Sequence, residues 1–185
     1  VTDVTSGIAM LGVMGPHSRE LLQNVSGADL SNDAHPFGRS REIEIGYARV
    51  RASRITYVGE LGWELYLPAE HCLDVYQQLL EAGAPLGLTL AGYHAMGACR
   101  VEKGYKHWSH DIGDEDTPLD AGLGFTVAWD KPGGFVGRDA LLAQKAAGPL
   151  RRRLVQVMLD DASDTAPLLY HEEPIVRDGV IVGSI

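Results

Sequence analysis

Ser53-Arg54-Ile55-Thr56-Tyr57-Val58-Gly59-Glu60-Leu61-Gly62-Trp63-Glu64-Leu65-Tyr66-Leu67 decides how this 185-residue chain is read. Residues 54–57 read as extended and 58–62 as a two-glycine turn. Residues 63–67 read as the returning strand, so 54–67 is a candidate hairpin. Strand geometry puts Trp63, Leu65 and Leu67 on one face and Glu64 and Tyr66 on the other. If the tryptophan face packs on a core, Glu64 points away from it. A carboxylate there can accept two parallel hydrogen bonds from a planar donor pair. Arginine offers such a pair, and so does the 2-amino/N3–H edge of a pterin or guanine ring. The plainer alternative is a solvated glutamate on an exposed hairpin. Tyr57, just before the turn, could stack on such a ring.

Upstream, 8–14 is a short apolar run that reads as a buried strand, and Gly15-Pro16 breaks it. Pro16 then suits the first turn of a helix over about 17–25. Residues 26–40 read as a loop. Residues 41–52 alternate with a slip of phase at Gly46, which suggests a bulge. Downstream, a helix is expected from about residue 70 to Ala82, closed by Gly83. A second is expected over 91–103, crowded with small residues, among which Cys99 reads as packing. Residues 123–129 read as a strand and 138–146 as a short helix. Gly148-Pro149 marks the expected domain boundary, giving 1–148 and 149–185. Beyond it come strand-like pieces at 154–159, 174–176 and 180–185. Hairpins mixed with helices read as α+β.

The sum of charges is 16 − 25 = −9, with a pI near 5.1. Such acidity argues against nucleic acid or an anionic membrane as partners. Two cysteines cannot build a disulfide framework or a CxxC metal site. With no signal peptide at the first residues, a reducing, cytoplasmic compartment is expected. Val1 at the start and a strand at the end suggest a piece of a longer protein.

No GxGxxG, GxxxxGK[ST] or GxSxG occurs, which disfavours nucleotide binding and serine hydrolysis within this chain. His107, His110 and Asp111 form an H-x-x-H pair with a carboxylate. They could ligate zinc, but no general-base glutamate accompanies them, so no metal is assigned. Arg151-Arg152-Arg153 and the acidic stretch 111–120 read as solvated surface.

These segments together resemble the glycine-cleavage aminomethyltransferase (T-protein) family. The resemblance rests on Gly7-Ile8-Ala9-Met10-Leu11-Gly12-Val13-Met14-Gly15-Pro16 and on residues 53–64, which match an S-R-x-x-Y-x-G-E-x-G-aromatic-E signature. Arg100-Val101-Glu102 and Thr117-Pro118-Leu119-Asp120-Ala121-Gly122-Leu123 extend it. Residues 102–112 and 134–142 look more like the branch found in flavin-dependent sarcosine and dimethylglycine dehydrogenases or oxidases. One departure supports that branch. Ala95-Met96-Gly97 stands where aminomethyltransferases carry an A-R-D triplet, whose arginine helps hold folate.

The resemblance implies a folate-binding domain followed by the start of a C-terminal β-barrel. It implies tetrahydrofolate as cofactor, accepting a one-carbon unit derived from an N-methyl amine and leaving as 5,10-methylene-tetrahydrofolate. It places FAD on a separate domain of the parent protein, which in a eukaryote would sit in the mitochondrial matrix. Glu64 is implied to read the pterin edge, with Tyr57, Tyr105 and Arg54 as further contacts and Trp63 and Trp108 flanking the site. The family's catalytic aspartate has no match here, so no catalytic residue is assigned. A relative that keeps the fold for assembly and binds no folate is the competing reading.

Overall fold

A computed structural model describes residues 1–160, 163 and 165–185. The chain divides into two compact units, 1–154 and 155–185. In the first, β1 (Ile8–Met14), α1 (Ser18–Ser26), β2 (Ser40–Ile45), β3 (Ala48–Ser53), β4 (Gly62–Pro68) and α2 (Cys72–Gly83) follow one another, with α3 (Tyr93–Glu102) and α4 (Arg138–Ala146) beyond. The strands form one sheet in the order β1-β4-β3-β2, with every pair antiparallel.

Period-two patterning explains why only one face of this sheet is covered. Ile43, Ile45, Ala48, Val50, Ala52, Trp63, Leu65 and Leu67 are buried together with Leu21 and Leu22 of α1 and Val75 and Leu79 of α2. The other face carries Glu42, Glu44, Arg49, Arg51, Ser53, Glu64 and Tyr66 by alternation along the same strands. β1 lies at an edge and follows the same rule. Val13 is buried, while Ile8 and Met10 are exposed, so the apolar run is half-buried rather than sunk in a core.

Further expectations for this unit are corrected. The tight hairpin is β2–β3, with Ile45 opposite Ala48, so the phase slip at Gly46 is a turn and not a bulge. Gly46 takes φ 56° there, a left-handed value that glycine adopts without penalty. Residues 54–57 leave the sheet, and β3 meets β4 over only three pairs, Arg51 with Tyr66, Ala52 with Leu65 and Ser53 with Glu64. Residues 123–129 form a single 3-10 turn at Gly124–Thr126 and no strand.

The helices fall where the periodicity put them, with shifted ends. α2 runs through Gly83 into a 3-10 turn, Ala84–Leu86, and stops at Gly87 in the left-handed region. Gly83 instead makes room for Leu88, whose Cδ1 would lie 2.5 Å from an added Cβ. α3 buries only Arg100, and Cys99 on it is exposed, so packing does not account for that cysteine.

The second unit is a hairpin, β5 (Pro174–Arg177) with β6 (Val180–Ser184). Residues 154–159 form no strand. Among the described residues, no helix is long and apolar enough to cross a membrane.

Candidate functional site

Trp63 and Glu64 are neighbours on β4 that face opposite ways. Trp63 is fully buried on the helix-covered face. Its indole N–H donates to Nδ1 of buried His35 at 3.3 Å, and His35 Nε2 donates to the Arg39 carbonyl at 3.0 Å. That pairing fixes the neutral tautomer with its proton on Nε2. Burial, more than any neighbour, holds the His35 pKa below its ordinary value.

Glu64 stands half-buried on the open face between Gly12 of β1 and Ser53 of β3. One neighbour has no side chain and the other a small one. The Tyr66 hydroxyl donates to Oε2 of Glu64 at 2.5 Å. This bond, with some burial, raises the Tyr66 pKa. No cation pairs with Glu64 among the described residues. An open groove of about 530 Å³ runs along the same face, lined by Glu42, Arg49, Arg51, Ser53 and Tyr66 with Ile8 at its end. Glu64 borders two of these residues in the sheet but does not itself line the groove.

Tyr57 lies in the loop from β3 to β4, and its hydroxyl donates to the Lys106 carbonyl at 3.2 Å. In the same loop, Gly59 takes φ 79° and lies so close to Lys103 that an added Cβ would come within 2.4 Å of Cγ. The loop therefore rests on the C-terminal end of α3. Tyr105 sits just after α3. Its N–H donates to the Arg100 carbonyl at 2.9 Å, and its carbonyl accepts from Nη1 of Arg100 at 3.1 Å. Tyr57 and Tyr105 thus meet the same short segment.

The structure does not bring Arg54 to the face of Glu64. Its Nη1 donates to the His35 carbonyl at 2.8 Å, and its guanidinium lies 5.7 Å from the centre of the Trp63 ring, on the buried side. Burial lowers its pKa, with Arg19 adding repulsion. Trp63 does not flank the open face either. Trp108 is exposed.

Sequence reasoning missed the partner of Asp111. Arg100, 8% exposed, donates Nη1 to Oδ2 and Nη2 to Oδ1 of that carboxylate. The His107 N–H donates to the same Oδ2 at 2.8 Å. Burial opposes ionisation of Asp111, but the bonds from His107 and Arg100 outweigh it and hold its pKa below the usual carboxylate range. Asp111 is thereby engaged. His107 and His110 stack with ring centres 5.5 Å apart. The usable signal was an arginine in the last turn of a helix with an aspartate eleven residues on.

The sequence is 46% identical over 185 residues to 4-methylaminobutanoate oxidase (formaldehyde-forming) of Paenarthrobacter nicotinovorans, covering the whole chain and 22% of that protein. It is 44% identical over 183 residues to mitochondrial sarcosine dehydrogenase of Homo sapiens, covering 99% of the chain and 19% of that protein. It is 40% identical over 155 residues to an aminomethyltransferase of Caldanaerobacter subterraneus, covering 84% of the chain and 41% of that protein. The chain therefore spans about a fifth of each of these two oxidoreductases. The GCVT N-terminal domain profile matches residues 1–131, and on that match the chain belongs to the GCVT N-terminal domain family.

Proposed function

We propose that this chain is the tetrahydrofolate-binding module of a larger oxidoreductase acting on N-methyl amines of the sarcosine or dimethylglycine type. The observation that carries the reading is the setting of Glu64. It is a half-buried carboxylate on the uncovered face of the sheet, bonded to a neutral hydroxyl and, among the described residues, to no cation, beside a glycine on one strand and a serine on the other. That carboxylate fits the flat N–H edge of a pterin, because it keeps acceptor capacity and its neighbours leave room. The kinship with an aminomethyltransferase and with two oxidoreductases of methylated amines supports the same reading.

In this reading Glu64 holds the pterin edge. Tyr57 and Tyr105 border the ring from the loop beside α3. Arg54 acts from the buried side by fixing the 35–39 loop against β3, since its N–H and carbonyl bond Arg39 and Gly38 as well. Bound tetrahydrofolate supplies the nucleophilic nitrogen that takes the one-carbon unit, giving 5,10-methylene-tetrahydrofolate. The chain's own residues bind and orient it, and positioning of this kind is a large part of catalysis. FAD belongs to another domain of the parent, which is the module's partner. Residues 149–185, which include the β5–β6 hairpin, are the start of a further β domain, a β-barrel. The compartment is that of the parent enzyme, cytoplasmic or mitochondrial.

The test is calorimetry with tetrahydrofolate on the full-length parent. Glu64→Ala should cost about 2–4 kcal/mol of affinity, the scale of two charge-assisted hydrogen bonds. Equal affinity in the two proteins refutes the role. A parent that binds no folate at all establishes the second reading, a relative kept for assembly, which Met96 in place of the arginine keeps in play.

A further inference from the structure

Arg100 and Asp111 form the most enclosed ion pair of the chain among the described residues, with side chains 10% and 22% exposed. Burying such a pair costs several kcal/mol of desolvation, and a well-packed apolar pair often stabilises as much. The location of this pair argues for a specific task. The hydrophobic core lies between the sheet and helices α1 and α2, and no residue of α3 belongs to it.

The pair's bonds instead end on one short piece of backbone. Arg100 holds Tyr105 at both its N–H and its carbonyl, and Asp111 holds the N–H of His107. Lys106 lies between these two pinned residues. Its side chain folds back to the Gly104 carbonyl at 2.6 Å, and its own carbonyl is the acceptor for the Tyr57 hydroxyl. The chain of contacts runs from Arg100 and Asp111, through the 105–107 backbone, to the ring of Tyr57.

We propose that Arg100 and Asp111 are positioning residues of the folate site, a clamp that, through the 105–107 backbone, sets where the Tyr57 ring stands before the ligand arrives. This rests on the function proposed above and names a device within that same site. Neither residue touches the ligand. Loosening the clamp frees the Lys106 carbonyl, and the Tyr57 ring loses its fixed pose.

The experiment is a double-mutant cycle in the full-length protein, read as tetrahydrofolate Kd by calorimetry and, separately, as Tm. Asp111→Asn preserves shape and removes the charge. Alone it should raise Kd about tenfold, within the usual range of coupling between residues of one network. Combined with Tyr57→Phe, which already lacks the bond to Lys106, it should raise Kd less than about twofold further. Its effect on Tm should be the same in both backgrounds. Arg100→Lys, which keeps the charge but loses the fork, repeats the cycle if Asp111→Asn does not fold. Equal Kd losses with and without the Tyr57 hydroxyl overturn the clamp, because a purely structural pair would act that way. An unchanged Kd in Asp111→Asn also overturns it. Glu64→Ala run alongside separates the two failures. If that variant weakens binding while the clamp variants do not, only the clamp is wrong. If the parent binds no tetrahydrofolate at all, the folate assignment falls and the clamp with it.

Discussion

The Trp63 indole and the His35 imidazole meet edge-on inside the core, with ring centres 6.1 Å apart and a hydrogen bond between them. His35 accepts at Nδ1, so a second proton there would set two N–H groups against each other. This gives the fold a pH dependence of definite sign. The folded-state pKa is lowered by burial, so the unfolded chain binds more protons just below the ordinary histidine value. His35 should contribute its full stability above about pH 6.5 and lose it progressively as pH falls below that. Urea unfolding at pH 7.5 and pH 5 should show the loss in the native protein. A His35→Gln variant that loses the same amount between those pH values would contradict the assignment.

Glu64 governs the titration of Tyr66. The hydrogen bond to the carboxylate is the main cause of the raised tyrosine pKa. Glu64→Ala should bring it back toward about 10. Ultraviolet titration, compared with a Tyr66→Phe variant to identify the signal, measures the change. An unaltered Tyr66 titration would mean the two groups do not meet in solution.

Breaking the Arg100–Asp111 pair from one side leaves the other charge enclosed. Arg100→Ala should destabilise the domain by about 3–5 kcal/mol, and replacing both residues should cost less than the sum. Since the Asp111 pKa is lowered, its contribution is present above about pH 3.9 and fades as pH falls through the folded value. Denaturant midpoints of the single and double variants decide the point.

Gly59 is where the Tyr57 loop packs against the end of α3. It sits at φ 79° against the Lys103 side chain, so Gly59→Ala meets both backbone strain and a clash. A cost of about 1–3 kcal/mol is expected. The companion Lys103→Ala should recover the part of the steric share due to Cγ and Cδ and leave the Cβ contact and the conformational share. Thermal unfolding of the two variants and their combination measures the split.

Legibility in the sequence followed the strength of each local signal. β4 was readable because Trp63, Leu65 and Leu67 alternate with polar residues over a full strand, and α1 and α2 because their apolar residues recur at helical spacing. The opposite facing of Trp63 and Glu64 followed directly. Pairing was not readable. Gly46 breaks the phase whether the chain bulges or turns, and only the contact of Ile43 with Val50 across the hairpin separates the two. Residues 123–129 have the apolar content of a strand but find no sheet partner. Arg54 was expected as a ligand contact because the family resemblance implies it. Its anchoring to the His35 carbonyl depends on a loop nineteen residues away, which no local pattern encodes. Asp111 was read as solvated surface beside an H-x-x-H pair to which no metal was assigned, and its pairing with Arg100 is a contact eleven residues apart that the local pattern does not show.

A sheet clothed on one side divides each of its strands into two interleaved sets of positions that answer to different pressures. Along β3, Ala48, Val50 and Ala52 answer to the interior, and Arg49, Arg51 and Ser53 to whatever approaches from outside. A saturation library over 48–53 should therefore read as a comb. Tolerance by abundance would alternate residue by residue, and any outward tooth that is intolerant in a functional screen alone would mark where a visitor lands.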